Sequence, residues 1–239
     1  MATAVYEGKR RVISTGSTEI DKKMGGGIPE GSLILIEGQS NAGKSVVTQQ
    51  LMHGALNGGF RCATYTTENT SRSLFRQMQS LALDITDFFL LGALNVYTMP
   101  AAMTPEAATT AFDKMLEHLG RLQGRYDVIF IDSLTSFVSQ VPESATLTFL
   151  TAVKEYCDQN MTIFFTLHSH AFEEAMFMRM RSLCDAHLKL RVEEMRDTLM
   201  KVLEVAKVRG AEKSTGNIIS FDVEPGLGMR IIPVSTAKA

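Results

Sequence analysis

The chain has 239 residues, of which 45 % are apolar and 21 % charged, with 24 lysines and arginines against 26 aspartates and glutamates. That length and composition predict a single soluble α/β domain with a sizeable core. The near balance of charge argues against bulk electrostatic binding to nucleic acid or anionic lipid, while leaving room for a local basic patch.

Cys62, Cys157 and Cys184 are scattered and show neither CxxC nor zinc spacing, so they read as small core residues of a reduced, cytoplasmic protein. No apolar run reaches the roughly 18 residues of a membrane span, and the N-terminus lacks the apolar stretch of a signal peptide. Membrane association is therefore expected only through a partner.

Residues 1–12 are polar, with a Lys9-Arg10-Arg11 cluster, and 235–239 read as a second flexible tail. Between them strands and helices alternate. Leu33–Glu37 is a short apolar run, read as a buried strand leading through a glycine loop into a helix over 43–57 that Gly58-Gly59 stop. A strand over 61–67 and a helix over 71–83 follow, then a short strand over 94–99. Thr104-Pro105-Glu106 is a helix start with proline suited to the first turn, and Phe112, Met115, Leu116, Leu119 and Leu122 continue it at helical spacing.

Residues 127–132 form a buried strand, Leu147, Leu150, Val153 and Cys157 mark a helix face, and 161–167 is the next strand. After a helical stretch over 172–183, strands are predicted at 185–193, 198–208, 217–224 and 229–233. The early alternation implies right-handed crossovers and a largely parallel sheet. The late strands, joined by short turns, read as antiparallel additions at one edge.

Gly38-Gln39-Ser40-Asn41-Ala42-Gly43-Lys44-Ser45 fits G-x-x-x-x-G-K-[ST] in full, with a strand before it and a helix after it. In such a loop glycines let backbone N–H groups approach phosphate, and the helix start adds its positive dipole end. Lys44 is placed to reach the β- and γ-phosphates, and the Ser45 hydroxyl to coordinate Mg²⁺. ATP and Mg²⁺ are the expected ligands.

Val128-Ile129-Phe130-Ile131-Asp132 is an apolar strand ending in an acid. Beside a complete glycine loop, Asp132 reads as the group that holds Mg²⁺ through its water shell, although the same position also suits a cap. Glu68 ends the strand over 61–67 and is a candidate to orient the attacking water. Followed by Asn69, Thr70 and Ser71, it also reads as a helix-start acid. His168-Ser169-His170 close the strand over 161–167. His168 and Ser169 are candidate γ-phosphate sensors, with polar strand-end residues as the alternative, and i,i+2 histidines without a carboxylate partner are weak evidence for a metal site.

In Lys207-Val208-Arg209-Gly210 strand alternation puts both cations on one face. They form either a phosphate clamp or an ordinary charged turn. The tip of an edge hairpin lies away from its own glycine loop, so a clamp there would serve an adjacent subunit. Met176, Met178 and Met180 beside Phe172 and Phe177 offer either an adaptable partner surface or plain core.

These residues together resemble the KaiC branch of RecA-like ATPases. Ser14-Thr15-Gly16, Ile20-Asp21 and Met24-Gly25-Gly26-Gly27-Ile28-Pro29-Glu30-Gly31-Ser32 look like its lead-in to the glycine loop, and Lys207-Val208-Arg209-Gly210 looks like its trans-acting clamp. The resemblance runs from residue 13 to about 225. Within the branch, Ile34-Leu35-Ile36-Glu37-Gly38, Gly43-Lys44-Ser45-Val46 and Thr66-Thr67-Glu68-Asn69-Thr70 resemble the archaeal flagellar (archaellum) accessory subfamily.

The resemblance implies ATP contacts from Gly38 through Val46, and one from Ser80, which aligns with a nucleotide-contacting serine. It also implies a hexameric ring with ATP at subunit boundaries, docked onto the archaellum motor ATPase and its membrane platform protein from the cytoplasm. The clock proteins of the branch carry two adjacent glutamates after the second strand. Here Asn69 takes the second place, and there is one ATPase domain rather than two, which points to weak hydrolysis at most.

Two other classes compete. A signalling ATPase or autokinase is compatible with the many serines and threonines. A DNA-handling RecA-type ATPase should carry basic channel loops, yet Leu134–Thr146 holds no lysine or arginine, and in Ser169–Ser182 the residues Glu173 and Glu174 offset Arg179 and Arg181.

Overall fold

In a computed structural model the described residues are 11–101, 104–195, 198–213 and 215–233. Most of the predicted polar leader and the C-terminal tail lie outside them. A short antiparallel pair, β1 (Val12–Ile13) and β2 (Ile28–Pro29), flanks a helix, α1 (Thr18–Lys23). The lead-in is stapled by Asp21, whose carboxylate accepts from Ser14 Oγ at 2.5 Å, Thr15 N at 2.8 Å and Thr15 Oγ1 at 2.7 Å. The Ser-Thr-Gly…Asp pattern is thus a structural knot that fixes how the chain enters the sheet.

The remaining strands are β3 (Leu33–Gly38), β4 (Cys62–Thr66), β5 (Leu94–Thr98), β6 (Val128–Asp132), β7 (Thr162–His168), β8 (Ala186–Met195), β9 (Thr198–Val208), β10 (Ile218–Glu224) and β11 (Gly228–Ile231). They form one nine-stranded sheet in the order β11-β10-β9-β8-β3-β7-β6-β4-β5. From β8 to β5 every pair is parallel, while β9, β10 and β11 add on antiparallel at one edge. The first late strand, β8, departs from the antiparallel expectation and runs parallel to β3. The helical crossover from β7 returns the chain to the same end of the sheet before β8 begins, and a helical crossover favours a parallel partner.

The helices are α2 (Lys44–Asn57), α3 (Ser71–Ser80), α4 (Thr86–Leu90), α5 (Pro105–Leu122), α6 (Thr135–Val138), α7 (Glu143–Asp158) and α8 (Glu174–Leu183). They cover both faces. Ile34 and Ile36 of β3 join a cluster with Val47, Leu51 and Ala55 of α2, whereas Leu33 and Leu35 join Phe112, Leu150 and Phe177 from α5, α7 and α8. A strand buried on both faces is a continuous apolar run, which is how β3, β6 and β7 read in the sequence.

Helix starts and stops follow local chemistry. The Thr104 side chain accepts from Ala107 N at 3.2 Å, with Pro105 in the first turn, a cap of about 1 kcal/mol. Helix α3 stops at Ser80 rather than at the predicted residue 83. Ala82 takes φ 58°, Leu83 N donates to Met78 O at 2.9 Å, and Ala82 N to Gln79 O at 3.0 Å. This is a Schellman end built without glycine. The helices α1, α4 and α6 and the pair β1–β2 are too short to leave a periodic signal. Met176, Phe177 and Met180 are core, as one of the two sequence readings has it, and Met178 is exposed. Among the described residues no helix is long and apolar enough to cross a membrane.

Candidate functional site

The loop between β3 and α2 is shaped by close approach. A Cβ at Gly38 would lie 2.7 Å from the Leu190 carbonyl oxygen of β8. Gly43, the N-cap of α2, has φ 94°, and a Cβ there would lie 3.0 Å from the Phe221 ring; glycine alone meets both demands without strain. Lys44 is 8 % exposed and folds back over the loop, donating from Nζ to Gly38 O at 2.9 Å and Gln39 O at 2.8 Å. Burial pushes its pKa down, against the opposing pull of Asp132 and Glu68.

A cavity of about 540 Å³ opens over this loop. Ser40, Asn41 and the start of α2 from Gly43 to Val46 floor it. Glu68 beyond β4, Asp132 at the end of β6 and His168 at the end of β7 form one wall, as parallel strands with a common C-terminal edge require. Ala42 is fully buried beneath, and Gln39 contributes its carbonyl to Lys44.

Asp132 accepts from Thr166 Oγ1 at 2.7 Å. Burial pushes its carboxyl up, bonds from Thr166 and Ser45 pull it back, and nearby Glu68 pushes it up further. A half-buried carboxylate lining the cavity with Ser45 and facing a second carboxylate suits a divalent cation, whose charge relieves that destabilisation. A desolvated ammonium over a loop of backbone N–H groups suits a polyanion. The residues present therefore fit Mg²⁺ and a nucleoside triphosphate.

Burial and Lys44 push His168 down, so it faces the cavity as a neutral imidazole at pH 7. Ser169 N donates to Gly38 O at 3.1 Å, while its buried Oγ has no partner among the described residues. Ser80 is not brought to the cavity. It ends α3, about 15 Å along that helix from its start, and its hydroxyl donates to Gln77 O at 2.7 Å. Among the described residues no group of three or more His, Cys, Asp or Glu is arranged to hold a metal ion by itself.

Two lining residues escaped the sequence reading. Lys201 of β9 and Val223 of β10 close the far wall, with Lys201 Nζ held only loosely, 3.8 Å from Asp222 Oδ1. Their place follows from strand order. Because β9 runs antiparallel to β8, its start lies at the cavity end and its finish at the opposite end of the sheet. Lys207 is thus about 20 Å from Lys201 at ~3.3 Å per residue. The two clamp candidates share a face, as alternation predicts. Lys207 Nζ donates to Arg181 O at 2.9 Å and Cys184 O at 2.5 Å, and Arg209 reaches Ser182 O at 3.4 Å and Asp185 Oδ1 at 3.6 Å.

Directly before the loop, Glu37 is buried in an ionic cluster. Arg181 donates from Nε at 3.1 Å to Oε2 and from Nη2 at 2.9 Å to Oε1, and His187 Nε2 lies 2.9 Å from Oε2. Burial pushes the Glu37 carboxyl up, but the bonds from His187 and Arg181 outweigh it and hold the group below its ordinary range. A carboxyl depressed in the folded state contributes stability above its unfolded pKa, near 4.5, and loses it as pH falls through the folded value. The unfolding free energies of wild type and Glu37→Gln, from urea titrations between pH 7 and pH 3, should therefore converge below about pH 4.5. A constant gap across that range would contradict the assignment.

A parallel sheet with a glycine loop, a buried lysine and a strand-end aspartate meeting at one edge defines a RecA-like P-loop protein. The KaiC ATPase family model matches residues 13–236, and the chain belongs to that family. It is similar to the archaeal flagellar ATP-binding protein FlaH of Sulfolobus acidocaldarius, with 30 % identity over 95 % of this chain and 100 % of the relative. It is also similar to the circadian clock oscillator protein KaiC of Parathermosynechococcus lividus, with 27 % identity over 85 % of this chain but only 38 % of the relative. Among solved structures, flagellar accessory protein FlaH of Methanocaldococcus jannaschii superposes with a TM-score of 0.80 at 25 % identity, covering 95 % of this chain and 100 % of that one. A KaiC-like protein of Pyrococcus horikoshii gives 0.76 at 20 % identity, covering 94 % and 100 %, a likeness of fold.

Proposed function

We propose that this protein is an ATP-binding regulatory and assembly component of the archaellum motor. In this reading its subunits form a nucleotide-dependent ring, expected to be hexameric, that docks in the cytoplasm onto the motor ATPase and its membrane platform protein. The observation that carries the ATP-binding part is the meeting of Lys44, Ser45, Asp132 and Glu68 around one cavity. The likeness to FlaH over the whole of that relative supports the archaellum role.

The glycine loop and Lys44 would hold the phosphates, Ser45 and Asp132 would hold Mg²⁺, Asp132 through water, and Val46 floors the site. When bound, Mg²⁺ would supply charge neutralisation to the phosphates. Glu68 orients water and His168, on the cavity wall, senses the γ-phosphate; Ser169, whose hydroxyl is buried, does not line the cavity. Hydrolysis is slow because Glu68 acts alone. Asn69 accepts from Ser73 Oγ at 3.0 Å, in the first turn of α3, and does not line the cavity.

Light scattering with and without ATP-Mg²⁺, run beside a phosphate-release assay, tests this. Assembly should require ATP and Mg²⁺ and be lost with EDTA. Turnover should fall well below the ordinary range of about 1–10³ per second, and Glu68→Gln should abolish what remains while ATP stays bound. Brisk turnover, or a Glu68→Gln variant as active as wild type, would refute the slow-hydrolysis reading.

Nucleic acid is not a ligand in this reading. Arg181 is committed to Glu37 and Glu174, and Arg179, the other cation of that stretch, lies within α8 rather than on a channel loop. Single-stranded DNA binding seen at low salt should vanish near physiological salt. A submicromolar dissociation constant at that salt would restore the DNA-handling reading.

A further inference from the structure

We propose that the last turn of α8 is the seat of the clamp, and that the Arg181–Glu37 pair holds that seat to the strand carrying the glycine loop. This rests on the reading of Lys207 and Arg209 as a clamp on a neighbour's nucleotide.

Three carbonyls at the end of α8 take the clamp cations: Arg181 O and Cys184 O accept from Lys207, and Ser182 O accepts from Arg209. A helix C-terminus leaves its last carbonyls unsatisfied and carries the negative end of the dipole, so it is where cations settle. Lys207 is held firmly, by two bonds of 2.9 and 2.5 Å. Arg209 is held lightly, at 3.4 and 3.6 Å, with its side chain 58 % exposed. The arrangement anchors the lysine and leaves the guanidinium poised to swing outward. The backbone of the tip is tied as well, Arg209 N donating to Asp185 O at 2.9 Å.

The seat is itself fixed. Arg181, whose carbonyl takes Lys207, sends its guanidinium into the two oxygens of Glu37, and Glu37 is 2 % exposed. Glu37 precedes Gly38, whose carbonyl accepts from Lys44. A bidentate Arg–carboxylate contact is directional as well as strong, so it sets where the α8 terminus sits relative to β3. Each subunit therefore aims its clamp from its own glycine-loop strand. Arg181 and Glu37 act here as positioning residues and touch no nucleotide.

Sedimentation against ATP-Mg²⁺ concentration tests this, with ATP affinity read below the assembly concentration. Arg181→Met alone leaves the buried Glu37 carboxylate with His187 and without its bidentate partner, and risks unfolding. The paired variant Glu37→Gln/Arg181→Met removes both charges and keeps the test open. It should bind ATP as wild type but need roughly tenfold more protein or ATP to assemble. A merely structural defect would instead lower the melting temperature and the ATP affinity of the isolated subunit along with assembly. If Arg209→Ala fails to assemble while the paired variant assembles as wild type, the seat is wrong and the clamp stands. If Arg209→Ala itself assembles normally, the clamp reading has failed and the seat falls with it.

Discussion

Lys44→Ala should lower ATP affinity by about two orders of magnitude and leave the melting temperature of the nucleotide-free protein nearly unchanged. The ammonium lies over the loop, bonded to Gly38 O and Gln39 O, and a charge-assisted bond is worth about 1.5–3 kcal/mol. Losing a contact shared between two phosphates thus costs about 3 kcal/mol, or ~100-fold in dissociation constant.

The fold loses little. Lys44 is buried at an electrostatic cost that pushes its pKa down, and its two partners are loop carbonyls at the edge of an open cavity, where water replaces the ammonium. Calorimetry at protein concentrations below assembly gives the affinity. Thermal melts supply the control: ATP-Mg²⁺ should raise the wild-type midpoint by mass action and leave that of the variant unmoved. Unchanged affinity would overturn the assignment of the cavity to ATP.

Arg209→Ala should abolish ATP-driven assembly while the isolated subunit binds ATP almost normally. The residue stands at the opposite end of β9 from its own cavity, so its removal leaves the local site intact. Its present contacts are long and its side chain is mostly solvated, so the fold depends little on it. Across a boundary, an Arg–phosphate contact is bidentate where geometry allows and more directional than a lysine contact. A closed ring repeats that contact at every interface, so a modest loss per subunit becomes a large loss of rings. ADP lacks the γ-phosphate and should assemble wild type poorly. Sedimentation of both proteins with ATP-Mg²⁺ and with ADP-Mg²⁺ decides the matter, and an Arg209→Ala ring as stable as that of wild type would reduce the triplet to a charged turn.

Much of this architecture was readable before any coordinates because the parallel strands are continuous apolar runs and the loop between β3 and α2 carries its chemistry in glycines and one lysine. Asp132, Glu68 and His168 were readable for the same reason: residues just past parallel strands share one edge. Lys201 and Val223 were not, because their nearness to the loop depends on the order of β8, β9 and β10, which no local pattern encodes. Glu37 looked like part of an apolar strand, and its partners Arg181 and His187 lie 144 and 150 residues away. Ser80 rested on resemblance to a relative, and it ends α3 without lining the cavity. The end of α3 was misplaced because Ala82 does what glycine or asparagine ordinarily does.

The three thiols have a practical consequence. Cys62, Cys157 and Cys184 are all buried, and burial pushes the Cys184 thiol up to about 12, so none presents a reactive thiolate at neutral pH. The unmodified chain should therefore label poorly with maleimides. A single cysteine placed at Leu91, whose side chain is 84 % exposed, would then be the one attachment point for a fluorophore. With one dye per subunit, energy transfer between neighbours would report ring closure as it happens, and the number of photobleaching steps per particle would count the subunits.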